Sequence, residues 1–328
     1  MQQSIRLSVS LTGMAALASL PQAMAEPAPA AQASAVDLGV MSVSLSEVIK
    51  PQLGIQGQTQ GAGTPNQAGV GGYLPLAIGE NSVLFLDVLA NANFGDFSGY
   101  SSIVNTEVTG TTISTSSRLG YRWLNGDRSW MFGINGGYDT RPMATGNADT
   151  GVAVTNKTAV FFQQAAFGLE AVNNNWSLNA YGLIPTGTTE YQLNNRYQGG
   201  ALDTYGFDAG YNLTPGWKLS AGYYYQNGDS GSADGSGVQG RLAYSLSNSI
   251  TIGATYSYDD SFDSRVSGNL IWRFNTSAIN ANESQKKEWK TPIIQALVES
   301  VKHRSVRVQD KNSTTCTTKS QGKTCYIN

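Results

Sequence analysis

The chain alternates at two levels. Side chains switch between apolar and polar with a period of two in stretches at roughly residues 53–61, 68–76, 81–91, 112–123, 128–139, 158–172, 174–186, 201–213, 216–226, 236–246, 249–258 and 264–274. The connections alternate too. Every second one is a tight turn of Gly, Asn, Asp or Pro chemistry: IGEN near 78, LNGDR near 124, NNN at 173, TPG at 214 and SNS at 247. Those between are mostly longer and polar, at 92–111, 140–157, 187–200 and 227–235. Period-two patterning commits each stretch to a strand with one apolar face, and short turns between successive strands make antiparallel neighbours. The all-β class follows.

What the apolar faces meet is the next question. In FGLEAVNNNWSLNAYG (167–182), Phe167, Leu169, Ala171, Trp176, Leu178 and Ala180 share one parity, while Gly168, Glu170, Ser177 and Asn179 share the other. A soluble sandwich would turn the first set to a core, and a membrane barrel would turn it to lipid. Most stretches have the ~9–11 residues that a tilted strand needs to cross a bilayer. Tryptophan placement favours the barrel. Trp123, Trp130, Trp176, Trp217 and Trp272 sit beside short turns or at the end of the last strand, all on the apolar parity, and Tyr138, Tyr205, Tyr225, Tyr256 and Tyr258 gather toward the opposite ends. Two aromatic girdles mark two membrane interfaces. Composition agrees, with 37 glycines, 16 tyrosines and 13% charged residues. No stretch after residue 25 holds 18 consecutive apolar residues, so strands rather than helices must do any crossing.

The expected architecture is a transmembrane outer-membrane antiparallel barrel of about 12 strands with a short C-terminal helix and linker tail. Short turns then face the periplasm and long loops the exterior. At the N-terminus, Arg6, an apolar run from Leu7 to Leu20 and Ala23-Met24-Ala25 make residues 1–25 a signal peptide. Residues 26–50 read as a periplasmic spacer beginning EPAPAAQASA, residues 51–275 as the barrel, and 276–328 as the tail.

The inward parity carries Arg118, Arg122, Glu170, Asp208, Lys218, Arg241, Arg265 and Arg273. These are lumen-facing charges, read either as a selectivity ring or as interior ion pairs that narrow the pore. Trp272 and Phe274 end the last strand as an aromatic-x-aromatic that resembles the C-terminal assembly signal of outer-membrane proteins. The tail changes character: it has nine Lys and Arg against four Asp and Glu, whereas residues 26–275 have eleven against nineteen. A basic tail complements an acidic barrel, with Glu170 and Asp208 as partners inside. Ile293, Ile294, Leu297, Val298 and Val301 have helical spacing after Thr291-Pro292, and Ser305 to Val308 reads as extended. A helix over roughly 283–302 would cover the ~30 Å hydrocarbon core. Cys316 and Cys325, the only cysteines of an exported chain, are expected to form a disulfide.

GYRWLNGDRSWMFGINGGYDTRP (120–142) and AAFGLEAVNNNWSLNAYGLIPTG (165–187) resemble successive hairpins of the intimin and invasin barrel, the inverse autotransporter β-domain. LVESVKHRSVRVQ (297–309) is similar to the linker that follows that barrel. The resemblance implies a translocator that anchors itself and exports its own C-terminal chain through the pore. It also implies membrane lipids, the barrel-assembly machinery and periplasmic chaperones as partners, and leaves any surface ligand unnamed. Residues 26–50 contain no peptidoglycan-binding module, and the tail is too short for an immunoglobulin-like passenger of about 100 residues. The rival reading is a small passive porin with a periplasmic or plugging tail.

Catalysis finds little support in the sequence. The only histidine, His303, falls in the tail, where it reads as a solvated or linker residue rather than as the base of a serine or acid site. Clustered metal ligands and a phosphate loop are both missing from the pattern, and no basic patch interleaved with aromatics suggests nucleic acid. No cofactor, no metal and no enzymatic activity are expected.

Overall fold

The structure, a computed structural model, describes residues 44–95, 111–144, 155–195, 197–214, 216–228, 234–247, 249–274, 292–312, 316–318 and 323–325. The expected signal peptide and most of the spacer lie outside these residues. A one-turn helix α1 (Leu45–Val48) leads into strands β1 (Gln52–Gln58), β2 (Asn66–Ile78), β3 (Ser82–Phe94), β4 (Thr112–Leu124), β5 (Met131–Ala144), β6 (Ala159–Val172) and β7 (Trp176–Thr186). After a short β8 (Glu190–Gln192) come β9 (Tyr197–Thr214), β10 (Trp217–Gly228), β11 (Gly235–Ser245), β12 (Ile250–Asp259) and β13 (Asp263–Phe274). Apart from β8, which pairs only with the start of β9, each strand pairs antiparallel with the next, and β13 returns to pair with β1 from Leu53↔Phe274 to Gln58↔Asn269. Twelve strands therefore close a barrel, which leaves none of them with an open edge along the wall.

The tight turns form as their side chains dictate. Asn173 of the three-asparagine turn accepts the backbone N–H groups of Asn175 and Trp176 on its Oδ1, closing a turn that would otherwise leave both donors to water. Asn125 does the same for Trp130. Arg128 adopts a left-handed φ of 53° and ties this turn to the preceding one through Asn81 Oδ1 and the carbonyl of Glu80.

Parity sorts the wall into two faces. Leu119 is 53% exposed and Ile134 49%, whereas Arg118 and Arg122, on the other parity, are each 1% exposed. An apolar belt of this kind running around the whole barrel is a lipid-facing surface rather than a scatter of surface hydrophobics, and the chain is a transmembrane barrel. No described helix is long and apolar enough to cross a membrane. The tryptophans pack into a band along the short-turn rim. Trp123 and Trp130 flank Phe132, Trp176 meets Tyr211 at 4.8 Å, Trp217 meets Tyr244 at 4.5 Å, and Trp272 meets Phe274 edge-on at 5.0 Å. The tyrosines expected at the opposite girdle also face outward.

An even number of strands brings β13 back to the rim where β1 began. The tail resumes there, at helix α2 (Pro292–Ala296), and ends its described course in β14 (Val308–Asn312), followed by the isolated hairpin β15 (Cys316–Thr318) and β16 (Lys323–Cys325). β14 pairs with the first residues of β9, from Val308↔Ala201 to Asn312↔Tyr197, at the long-loop end of the barrel. Between α2 and β14 the chain runs inside the lumen.

The long helix expected over 283–302 does not form as such. Residues 283–291 lie outside the described set, helix α2 ends at Ala296, and residues 297–307 follow an irregular path. The reason is visible in the wall. Tyr73 Oη donates to the Leu297 carbonyl at 2.6 Å, Arg122 donates to the Leu297 and Glu299 carbonyls, Asp87 accepts from Val301 N–H, and Arg118 donates to the His303 carbonyl. Inward side chains satisfy the backbone groups that helical bonds would otherwise have to satisfy. An irregular chain also reaches further: the eleven steps from Leu297 to Val308 can span up to about 36 Å, enough for the hydrocarbon core.

Candidate functional site

The lumen is the candidate site, and it is built in three levels. At the short-turn rim, Leu45, Val48 and Ile49 of the N-terminal segment meet Ile293, Ile294, Leu297, Val298 and Val301 of the tail, and both pack on Tyr73, Val83, Phe85, Leu124 and Met131 from β2 to β5. The last residues of the expected spacer thus join a dry plug. The five tail residues read as a helical stripe are all buried in it. Phe85 presses the end of its ring against Gly120, where a Cβ would collide with it, stacks with Tyr73 at 5.0 Å, and takes the Arg122 guanidinium over its ring at 4.5 Å from the centroid.

The middle level is ionic. Arg118 grips Asp139 through both terminal nitrogens, at 2.7 and 2.6 Å, and Arg122 grips Glu170 through Nε and Nη2 at 2.7 and 3.0 Å. Both are bidentate pairs, the geometry that suits guanidinium to carboxylate. Arg304 of the tail reaches Asp87 at 2.7 Å, and Arg307 reaches Asp259 at 3.3 Å. His303 Nε2 lies 2.5 Å from Asp208, and its ring stacks on Tyr181 with centroids 3.7 Å apart. A left-handed φ of 53° at this residue turns the ring into that slot. His303 is thus a linker residue seated in the lumen by its contact with Asp208 and its stack on Tyr181.

The upper level closes the long-loop end. Val306 and Val308 pack with Met143, Val160, Phe162, Leu193 and Ala201. Arg307 lies over Tyr224 and Phe262, Tyr224 donates to Asp259 at 2.5 Å, and the Arg307 carbonyl accepts from Leu202 N–H. Arg141 donates to the carbonyls of Val306 and Gly63, so the β1–β2 connection is stapled to the tail as well.

Among the charges expected inside, Arg118, Arg122, Glu170 and Asp208 are thereby engaged. Glu170 takes a wall arginine instead of the tail expected to meet it, because Arg122 faces it across β5 and the tail's own cations lie nearer Asp87, Asp208 and Asp259. Arg265 donates to the Phe262 carbonyl at the long-loop end. Lys218, Arg241 and Arg273 line a cavity of ≈410 Å³ between the tail and strands β10 to β13. Asp87, Asp139 and Asp259 join the charges expected inside. All three lie on the inward parity, Asp87 in β3, Asp139 after Gly137 in β5, and Asp259 at the end of β12, so the signal was present. Cys316 stands directly opposite Cys325 in the β15–β16 hairpin, the backbone arrangement a cross-strand disulfide uses.

No protein-family model matches the chain, and no curated protein matches it in sequence. A structure from a study of in-meso crystallisation of membrane proteins is similar at a TM-score of 0.55 and 12% identity, covering 80% of this chain and 100% of that one. Outer membrane phospholipase A from Escherichia coli aligns at 0.36 and 15%, over 72% of this chain, and a KdgM porin in complex with disordered oligogalacturonate at 0.39 and 8%, over 69%. The first of these likenesses supports the barrel fold; the others are too loose to add to it.

Proposed function

We propose that the chain is an outer-membrane barrel of the inverse autotransporter kind, which anchors itself in the membrane and carries its own C-terminal tail through its lumen to the cell surface. One observation carries this reading: the tail enters at the short-turn rim with α2, runs past Arg122, Asp87, Asp208 and Asp259, and is received as an added strand by β9 at the long-loop end. Added-strand pairing at the exit gives the tail a fixed outward direction. A plain pore would gain nothing from filling half its lumen with a specifically bonded segment. The short-turn rim is then periplasmic, and the β15–β16 hairpin is the displayed element.

An epitope fused after Asn328 should be removed by protease added to intact cells. Protection until the outer membrane is permeabilised would leave the tail inside and put the porin reading first, with the ≈410 Å³ cavity as its solute path.

A further inference from the structure

The two sides of the lumen are not balanced alike. Arg118, Arg122, Arg304, Arg307 and His303 each have a carboxylate oxygen within 3.3 Å. Across the cavity, the side chains of Lys218 of β10, Arg241 of β11, Arg273 of β13 and Lys302 of the tail take part in none of the described ion pairs or hydrogen bonds, and Arg241 Nε is buried without a hydrogen-bond partner. They nonetheless sit close together. Glu299 interacts electrostatically with Lys218, Lys302 and Arg273, and Lys302 with Lys218 and Arg241. Lys218 and Arg241 are on paired strands, since Lys218 stands opposite Ala243 and Ser220 opposite Arg241. Small residues make the room: a Cβ on Gly210 would press on Lys218 Cε, and one on Gly253 would crowd Arg241 Nε at 3.3 Å.

Two carboxylates line this cavity. Asp208 is already taken by His303 and by Gln239, which donates to its other oxygen at 2.6 Å. Glu299, together with the charge of Asp208 acting on Lys302 and Arg241, thus faces four cations. Two carboxylates cannot balance them, and like charges held together in a confined, partly dry space repel strongly unless an anion joins them. We infer that the cavity is a binding site for a small polyvalent oxyanion of the phosphate or sulfate class, held between the wall residues Lys218, Arg241 and Arg273 and the tail residue Lys302. The site rests on the threaded tail, which supplies one of its four cations and its only free carboxylate. A guanidinium with its Nε unmet suits a multi-oxygen ligand, and the hydroxyls of Ser220 and Thr255 on the same wall offer further hydrogen bonds.

The test is isothermal titration of full-length, detergent-folded protein with inorganic pyrophosphate at low salt, where screening is weakest. Saturable one-site binding that sulfate displaces is expected. The double variant Lys218→Gln/Arg273→Gln should weaken it about tenfold or more while still migrating as a folded barrel on unheated gels. Glu299→Gln should tighten it about threefold or more, by removing the competing carboxylate, and Lys302→Gln should weaken it. Absent binding, or equal binding by the double variant, would overturn the site and leave the threaded tail standing. Weakening by the wall variants with no response at all to Glu299→Gln or Lys302→Gln would instead overturn the tail's place in the lumen, and with it the site as drawn.

Discussion

The half of the lumen walled by β2 to β7 and the half walled by β10 to β13 are built from one sequence pattern, inward polar residues between outward apolar ones, yet they differ in what the inward residues meet. On the first side the tail and the α1 segment fill the space, and three ion pairs form: Arg118 with Asp139, Arg122 with Glu170, Arg304 with Asp87. On the second side the tail meets the wall at its upper end, where Arg307 reaches Asp259, and below that a cavity of ≈410 Å³ remains, lined by Lys218, Arg241, Arg273 and Glu299. A charged residue of lumen parity is thus a structural tie or an unspent charge depending on whether something occupies the space in front of it. Of the two readings left open by the sequence, interior ion pairs describe the first side.

If the filled side is held by its ties, breaking one should cost most. Asp139 accepts both terminal nitrogens of Arg118 and the Gln164 amide, and is fully buried. Asp139→Asn leaves a buried guanidinium without its counter-charge, a change that costs ~3–5 kcal/mol where such pairs have been broken. The urea midpoint of the lipid-refolded barrel should fall accordingly. A loss under about 1 kcal/mol would mean that water reaches Arg118 and that the filled side is not dry.

A smaller effect, on the tail rather than the barrel, is expected at Asp87. This carboxylate takes Arg304 Nη1 on one oxygen at 2.7 Å and the Val301 N–H on the other at 2.8 Å. Asp87→Asn keeps an acceptor for Val301 but loses the charge, which weakens docking by roughly 1.5–3 kcal/mol. Planar-bilayer recordings should then show low conductance interrupted by larger openings, at least about tenfold more frequent than in the unaltered protein. Large, steady conductance in both proteins would show that the tail does not occlude the lumen at all, and the distinction between the two halves would collapse.

How far the sequence alone carries differs between wall and contents. Strand positions and parities are local properties: Phe167, Leu169 and Trp176 alternate with Gly168, Glu170 and Ser177 whatever else the chain does, and all fall on the faces expected. Pairings across the lumen are not local. They depend on register, which sets Gly133 beside both Glu170 and Arg122 and so lets those two meet across β5. The tail was the least legible part. The spacing of Ile293, Ile294, Leu297, Val298 and Val301 satisfies a helix, but the donors that settle its path, Tyr73 Oη and the Arg122 guanidinium, lie more than 170 positions away in the chain. The stapled His303 was equally hidden, since neither Tyr181 nor Asp208 is near it in sequence.

The smallest effect, and the one that separates the halves most cleanly, is expected at Lys218. Its counterparts on the filled side are destabilising to remove because each leaves a buried partner behind. Lys218 leaves none: its side chain donates to no described group, and its removal relieves repulsion from Lys302 at the cost of one attraction to Glu299. The side chain is only half-buried, so solvent screens both terms. Lys218→Gln should therefore leave the urea midpoint unchanged or raise it, by no more than ~1 kcal/mol. Pyrophosphate should reverse the order. A ligand that binds only the folded state stabilises it by about 2.7 kcal/mol at a hundred times its dissociation constant, and the unaltered barrel, binding more tightly, should gain more than the variant at the same concentration. Two unfolding curves that cross as the anion is added would mark Lys218 as a charge kept for a ligand. Curves that stay parallel, with the variant the less stable throughout, would make it one more structural tie and erase the difference between the two sides.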